Sequence, residues 1–118
     1  MNSLIQKIFD NFSVDGVSIP VKFLYYHGHG EPYITYQLTD EDSSCSGDDD
    51  LIGYAAYYDF DIYSKGDYTN IIKNVKRLLK DNDFAYQPQR SSGDMYETDT
   101  GYYHRTLCFA ILKGDSNG

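Results

Sequence analysis

Residues 51–63 read LIGYAAYYDFDIY, and this stretch decides the fold. At a period of two, one face carries six apolar side chains: Ile52, Tyr54, Ala56, Tyr58, Phe60 and Ile62. The opposite face carries Asp59, Asp61 and Tyr63, so a core covers only one side of this strand. The stretch is about twice as long as an ordinary strand. Its length therefore predicts a central strand with neighbours on both sides.

An amphipathic helix is predicted directly after this strand. Residues 64–67 read SKGD, which is typical of a turn that leads into a helix cap. Apolar side chains with helical spacing then extend over residues 68–79: Tyr68, Ile71, Ile72, Val75, Leu78 and Leu79. A helix with this apolar stripe folds back onto the apolar face of the strand, and the two together predict the core.

The rest of the chain adds one helix and several strands. Apolar spacing over residues 4–12 predicts a short first helix that must dock to be stable. Residues 21–26 and 33–38 predict two strands, separated by a glycine-containing loop. Residues 95–98 and 102–112 predict a terminal hairpin with Leu107, Phe109 and Ile111 facing inward.

These elements predict an α+β fold in the order α-β-β-β-α-β-β. The sheet is expected to be mostly antiparallel, with four to six strands and both helices packed on one face. A further short strand is expected at residues 84–86, interrupted by Pro88. Residues 1–113 are predicted to form a single domain, and residues 114–118 a disordered C-terminal tail.

Composition excludes several classes of protein. The 118 residues carry a net charge of −8, which argues against binding nucleic acid because such binding needs Lys and Arg to neutralise phosphates. No apolar run approaches the roughly 20 residues that span a bilayer, and the N-terminus does not resemble a signal peptide. The cytoplasm is the expected setting, where both Cys45 and Cys108 are expected to be free thiols.

Metal and cofactor sites are not expected. His27 and His29 with Glu31 lie on a glycine loop without a third ligand of preset geometry, so a flexible loop is the favoured interpretation. The stretch from Asp40 supplies oxygens for calcium but lacks the glycine and glutamate that an EF-hand needs at its sixth and twelfth positions. No residues with the spacing of a cofactor site are apparent, and a solvated acidic loop remains the simpler interpretation.

An enzyme is not expected either. His104 and Cys108 share a strand face but lie about 13 Å apart along it, which excludes direct contact. Asp59 and Asp61 would need an enclosing pocket to work as an acid–base pair. A solvated or partner-facing sheet surface, flanked by Tyr57 and Tyr63, explains the two carboxylates more simply.

Residues 39–50 are predicted to form an acidic loop between two strands. The loop contains no basic residue, and self-repulsion is expected to keep it solvated. Its six carboxylates are Asp40, Glu41, Asp42, Asp48, Asp49 and Asp50.

Nearly the whole chain resembles the small tail-completion or tail-terminator proteins of long-tailed bacteriophages and prophages. The resemblance is carried by a short N-terminal helix, Ile19-Pro20-Val21 before a strand, Pro32-Tyr33-Ile34-Thr35-Tyr36 after a glycine loop, a polar excursion, a long strand ending Phe60-Asp61-Ile62-Tyr63-Ser64-Lys65, a helix over 68–79, Phe84 and a final alternating strand. The Pro-Tyr-x-x-Tyr run between two strands is the strongest of these motifs. The loop contains more acidic residues, and the chain contains more Tyr, thirteen in all, than is expected for this family.

The resemblance implies a structural protein of the virion, assembled in the bacterial cytoplasm. Such a protein forms a homo-oligomeric ring, typically of six copies, that caps the tail tube and joins it to the head connector. Tyr57, Asp59, Asp61 and Tyr63 are predicted to contribute one subunit-interface patch of this ring. The acidic loop is predicted to face the lumen, where its charge would repel DNA during passage.

A second hypothesis comes from a different functional class. A small acidic binding module could inhibit or escort a host protein, because compact acidic proteins act as decoys for basic surfaces. A closed ring predicts a discrete large species in solution, whereas the binding module does not.

Overall fold

The computed structural model describes residues 2–26, 32–42 and 53–114. The elements in chain order are α1 (Asn2–Ile8), β1 (Ser13–Val14), β2 (Val17–Ser18), β3 (Val21–Phe23), β4 (Tyr33–Asp42), β5 (Gly53–Ser64), α2 (Thr69–Asp81), β6 (Ala85–Tyr86), a single turn of 3-10 helix (Pro88–Arg90), β7 (Met95–Glu97) and β8 (Tyr102–Gly114). Ile52, Cys45, the loop with His27 and His29, and residues 115–118 lie outside the described residues.

The predicted central strand is confirmed. The main sheet has six strands in the order β3-β4-β5-β8-β6, and β7 pairs with β8 farther along the same edge. β5 is antiparallel to both of its long neighbours, β4 and β8. β3 pairs with β4 in parallel, so the sheet is mixed but mostly antiparallel. The predicted α+β class is therefore confirmed.

The inner face of this sheet forms the core, as the alternation in β5 predicted. Ala56, Tyr58, Phe60 and Ile62 are all buried. The neighbouring strands add buried residues to the same face: Ile34 and Tyr36 from β4, and Leu107 and Phe109 from β8. Both helices pack into this single cluster, α1 through Ile5 and α2 through Ile71, Ile72, Val75 and Leu79, and Phe9 joins the cluster directly after α1. Both helices therefore lie on one face, as predicted.

Helix α2 is confirmed with small shifts at its ends. The Asp67 carboxylate accepts hydrogen bonds from the backbone N–H and the hydroxyl of Thr69, at 2.9 and 2.6 Å, which satisfies one of the free N–H groups of the first turn. The helix stops at Asp81, and Asp83 takes a left-handed conformation with φ 72°. The backbone N–H of Phe84 then donates to the Leu79 carbonyl at 2.9 Å, which turns the chain back toward β6.

The N-terminal region differs from the prediction. Helix α1 ends at Ile8, and residues 13–18 form the unpredicted β1–β2 hairpin. Asp15 and Gly16 both have positive φ, 52° and 81°, which is the turn that an Asp-Gly pair favours in a two-residue hairpin. β3 is also shorter than the predicted strand over 21–26, because Leu24 takes φ 64° and leaves the extended region.

Two predicted boundaries are wrong at the far end of the sheet. Asp40, Glu41 and Asp42 belong to β4 and not to a loop, because the ladder continues past an irregularity between Leu38 and Asp40. The three residues pair with Tyr57, Ala56 and Ala55 of β5. Gly114, predicted to begin the disordered tail, is likewise the last residue of β8. Asp48, Asp49 and Asp50 lie outside the described residues.

Candidate interaction surface

The outer face of the sheet lies opposite the two helices and carries polar and aromatic side chains. The pairing register puts Tyr57, Asp59, Asp61 and Tyr63 of β5 on this face, between β4 and β8. The sequence-predicted patch is therefore one continuous row. Its service as a subunit interface remains a prediction.

One end of this face is a stack of aromatic rings around Tyr63. The Tyr33 and Tyr63 rings are parallel with centroids 4.7 Å apart, and the His104 ring stacks on Tyr63 at 4.2 Å. The Tyr102 ring meets Tyr63 edge-on at 6.1 Å. Burial, followed by the nearby Asp61 charge, raises the pKa of Tyr63 to about 12. The Tyr63 phenol is therefore neutral at physiological pH, and it packs between Tyr33 and His104 as an uncharged ring.

Asp61 connects β5 to β8 in the middle of the outer face. The Thr106 hydroxyl donates to the Asp61 carboxylate at 2.5 Å, and His104 Nε2 lies 3.3 Å from the same oxygen. His104 Nδ1 lies 3.3 Å from Glu97 Oε2, so the imidazole bridges two carboxylates. A protonated imidazole donates to both carboxylates, whereas a neutral ring donates to one. The contacts connect the β7–β8 hairpin to the central strand.

Asp59 and Cys108 form the next polar pair along the face. Burial raises the pKa of Asp59, and the Cys108 thiol donates a hydrogen bond to its carboxylate. Burial and the Asp59 charge raise the pKa of Cys108 to about 12, so the thiol stays protonated. Cys108 is a free and buried thiol, as predicted. The environment makes it a poor nucleophile.

Arg90 covers the far end of the predicted row. Its guanidinium lies 3.9 Å from the centre of the Tyr57 ring and 3.4 Å from the Asp40 carboxylate. The predicted acidic loop contains no basic residue that could neutralise its carboxylates. Arg90, fifty positions after Asp40, supplies the positive charge instead. Sequence inspection missed this contact because it depends on the path of the 3-10 turn beside β8.

The sequence also gave no direct signal for the contacts of His104 and Cys108. Their spacing along one strand excluded a direct contact between them. The structure places each beside a carboxylate of β5, His104 near Asp61 and Cys108 opposite Asp59. The pairing register of β5 with β8 would have revealed both contacts, because residues that pair across two strands lie on the same face of the sheet.

Other kinds of site are weakly developed in the described residues. The described ranges contain no group of three or more His, Cys, Asp or Glu side chains that is arranged to hold a metal ion. A groove of about 490 Å³ lies between the start of α2 and the β7–β8 hairpin. In its wall the Tyr68 hydroxyl donates to Asp94 at 2.6 Å, and burial is the main cause that raises the pKa of Tyr68 to about 12.

The comparisons with known proteins add no family. No family model matches the chain, and no curated protein matches it. Within residues 2–26, 32–42 and 53–114, neither helix has the length and apolar character needed to cross a bilayer.

Proposed function

We propose that this chain is a structural protein of phage or prophage virions. It caps or completes the tail tube and joins the tube to the head connector as a ring of identical copies. The resemblance over nearly the whole chain supports this proposal, as does the α+β architecture with two helices on one face. In this role the protein works by contact and performs no catalysis.

The observation that carries the proposal is the character of the outer face. Tyr33, Tyr57 and Tyr63 stand there with Asp59 and Asp61, on the side of the sheet away from both helices. Tyrosine is favoured in protein interfaces because it offers large contact area at little cost in side-chain entropy. Ring stacking orients Tyr33 and Tyr63, and a hydrogen bond from Thr106 orients Asp61. A preorganised surface loses less entropy when a partner binds.

The acidic end of the sheet supports the second part of the proposal. Asp40 and Glu41 are exposed at the end of β4, and the sequence continues with Asp48, Asp49 and Asp50. In the proposed ring these carboxylates face the lumen. Like charges repel the phosphates of passing DNA and keep the DNA mobile. Replacing the acidic residues with Asn, Gln or Ser is expected to impair genome delivery, and unchanged delivery would remove this part of the proposal.

The main test is deletion of the gene in the phage or prophage that carries it, with electron microscopy of the particles. We expect tails of irregular length or tails that are not joined to heads. Supplying the wild-type chain in trans should restore normal particles. Normal virions without the chain would contradict the proposal.

A solution experiment separates the ring from the acidic binding module. Size-exclusion chromatography with light scattering across a concentration series should show one discrete large species that grows with concentration. The acidic binding module predicts a different result. The chain would stay monomeric, and its net charge of −8 would lead it to form a complex with a basic host protein. A one-to-one complex of that kind, together with normal virions from the deletion strain, would favour the binding module.

A further inference from the structure

One imidazole connects three strands on the outer face of the sheet. His104 of β8 has its Nε2 3.3 Å from an Asp61 oxygen of β5 and its Nδ1 3.3 Å from Glu97 Oε2 of β7. An ionised carboxylate only accepts hydrogen bonds, so both contacts are favourable only while both ring nitrogens carry a proton. A neutral ring has one N–H, and its other nitrogen then turns a lone pair toward an acceptor. We call these two contacts the His104 bridge.

Hydroxyl groups orient both carboxylates of the bridge. The Thr106 hydroxyl donates at 2.5 Å to the same Asp61 oxygen that His104 contacts. The Thr100 hydroxyl donates at 3.0 Å to Glu97 Oε1, while the other oxygen, Oε2, lies beside His104 Nδ1. Both carboxyl groups therefore serve as acceptors on every side, and the proton donors that complete the arrangement are the two ring nitrogens.

Stacking on Tyr63 holds the imidazole in this orientation. The two rings are nearly parallel, with an angle of 15° between their planes and centroids 4.2 Å apart. The His104 side chain is only 16% accessible. Burial raises the pKa of Tyr63 to about 12, so this phenol stays neutral while the imidazole gains or loses a proton. A change in pH near neutrality therefore acts on the two edge contacts of the ring and not on its stack.

The other titratable groups around the bridge keep their charge in this pH range. Those that face the ring or its stacking partner are Asp61 and Tyr63 of β5, Glu97 of β7, Tyr33 of β4, Tyr102 of β8 and Lys65, whose Nζ lies 5.1 Å from the centre of the Tyr102 ring. Asp59, whose pKa burial raises, faces Cys108 instead. Carboxyl groups are ordinarily ionised above about pH 5, and phenols and lysine change charge near about pH 10. Imidazole is the side chain that ordinarily changes charge between these limits.

The hairpin depends on few other contacts with the sheet. β7 pairs with β8 through three residue pairs, and β8 lies between β7 and β5. The His104 bridge therefore adds a connection that passes across β8 from β7 to the central strand. Short peripheral ladders open locally more readily than the central strands of a sheet. Loss of one bridge contact should therefore change how often this hairpin opens.

We propose that protonation of His104 controls how tightly the β7–β8 hairpin is held against the central strand. The protonated ring donates to Asp61 and to Glu97, which keeps the hairpin closed. When the ring releases a proton to solvent, one contact loses its donor and the hairpin opens more often. The hairpin is therefore held more tightly in mild acid than in mild alkali. This control acts whether or not the chain forms a ring of copies.

Amide hydrogen exchange, resolved by residue, measures this opening. Exchange is recorded at about pH 5.5 and about pH 8 and corrected for the intrinsic effect of pH on exchange. Opening of the β7–β8 ladder should increase about threefold or more at the higher pH. The amides of α2 serve as the internal reference and should change less. Nitrogen-15 spectra of the imidazole report in the same samples whether His104 carries one proton or two.

Two variants should remove the pH response, and a third should keep it. His104→Gln has no ring to titrate, and Glu97→Gln lets a neutral imidazole donate to Asp61 and accept from the new amide. Both should therefore open equally at the two pH values. The matched control Asp99→Asn also removes one carboxylate from the hairpin, but in its exposed turn, and should respond like the wild type. His27 and His29 are present in every variant, so they cannot cause these differences.

Several outcomes would overturn the proposal. One is a wild-type hairpin that opens equally at both pH values, and another is a pH response that persists in His104→Gln. Loss of the response in Asp99→Asn would assign it to the overall charge of the hairpin and not to the bridge. Opening that increases while His104 keeps both protons would also contradict the proposal. If His104→Gln does not fold, Glu97→Gln tests the same contact with the imidazole intact.

Discussion

The two faces of the sheet formed by β4, β5 and β8 are held together by different kinds of interaction. The inner face is a continuous apolar layer in which the Phe60 ring lies 5.8 Å from the rings of both Tyr36 and Phe109. The outer face is held by discrete pairs, such as Asp61 with Thr106 and Arg90 with Asp40. The inner face therefore supplies stability through burial, whereas the outer face depends on individual polar contacts between side chains of different strands. Substitutions on the two faces should have effects of different size.

Phe60→Ala should have the largest effect. Phe60 is fully buried at the centre of the inner face, so its truncation removes apolar contacts and leaves a cavity. We expect the free energy of unfolding, measured by urea titration, to fall by about 3–5 kcal/mol. The matched outer-face variant Tyr57→Ala should lose about 1 kcal/mol, mostly the contact with the Arg90 guanidinium. Equal losses in the two variants would contradict the division between the faces.

Asp61→Ala should come next. Its carboxylate accepts from Thr106 and lies beside His104, and both partners are left without this acceptor when it is removed. Loss of hydrogen bonds of this kind in a half-buried site costs about 1–3 kcal/mol. Asp61→Asn keeps one oxygen acceptor and should recover part of the stability in the same urea titration. Asp99→Ala, in the exposed turn before β8, serves as the control and should leave stability unchanged.

The contrast between these faces also explains which features the sequence revealed. β5 and α2 were predictable because each repeats its period over twelve or thirteen residues. The β1–β2 hairpin was not, because two residues per strand carry no readable period. The extension of β4 through Asp40 and Glu41 was missed because acidic residues disfavour strands, whereas the ladder with β5 holds them extended.

The outer-face row was predictable as a set, but its internal contacts were not. Alternation alone assigned Tyr57, Asp59, Asp61 and Tyr63 to one face. The contacts of Asp61 with His104 and of Asp40 with Arg90 depend on register and on the path of the 3-10 turn. Neither property can be read from a short stretch of sequence. Local patterns therefore predicted which residues share the outer face but not the contacts between them.

Alkaline pH should reveal a smaller difference through Tyr63. Burial raises the pKa of Tyr63 to about 12, against the ordinary value of 10.0 that applies to the unfolded chain. Below pH 10 the phenol is neutral in both states and its contribution to stability is complete. Between pH 10 and 12 the unfolded chain ionises first, so stability falls as pH rises.

Tyr63→Phe should reduce that alkaline loss. We expect the urea midpoint of the variant to change less between pH 10 and 12 than that of the wild type. Tyr68 has a pKa raised to the same value, so adding Tyr68→Phe should flatten the pH dependence further. An unchanged slope in the single variant would mean that Tyr63 ionises as readily in the folded protein as in the unfolded chain.

Arg90→Ala should have the smallest effect on stability. Its ion pair with Asp40 is exposed, with side chains 40% and 50% accessible, so we expect this pair and the contact with the Tyr57 ring to contribute about 1 kcal/mol together. The control Arg77→Ala removes an exposed cation of α2 whose guanidinium donates to the Asn74 side chain of its own helix, and it should lose less. A loss well above 1 kcal/mol for Arg90 alone, measured by urea titration, would show that this side chain fastens the 3-10 turn across the sheet. The contacts of Arg90 would then contribute to the free energy of unfolding more than an ordinary exposed ion pair does.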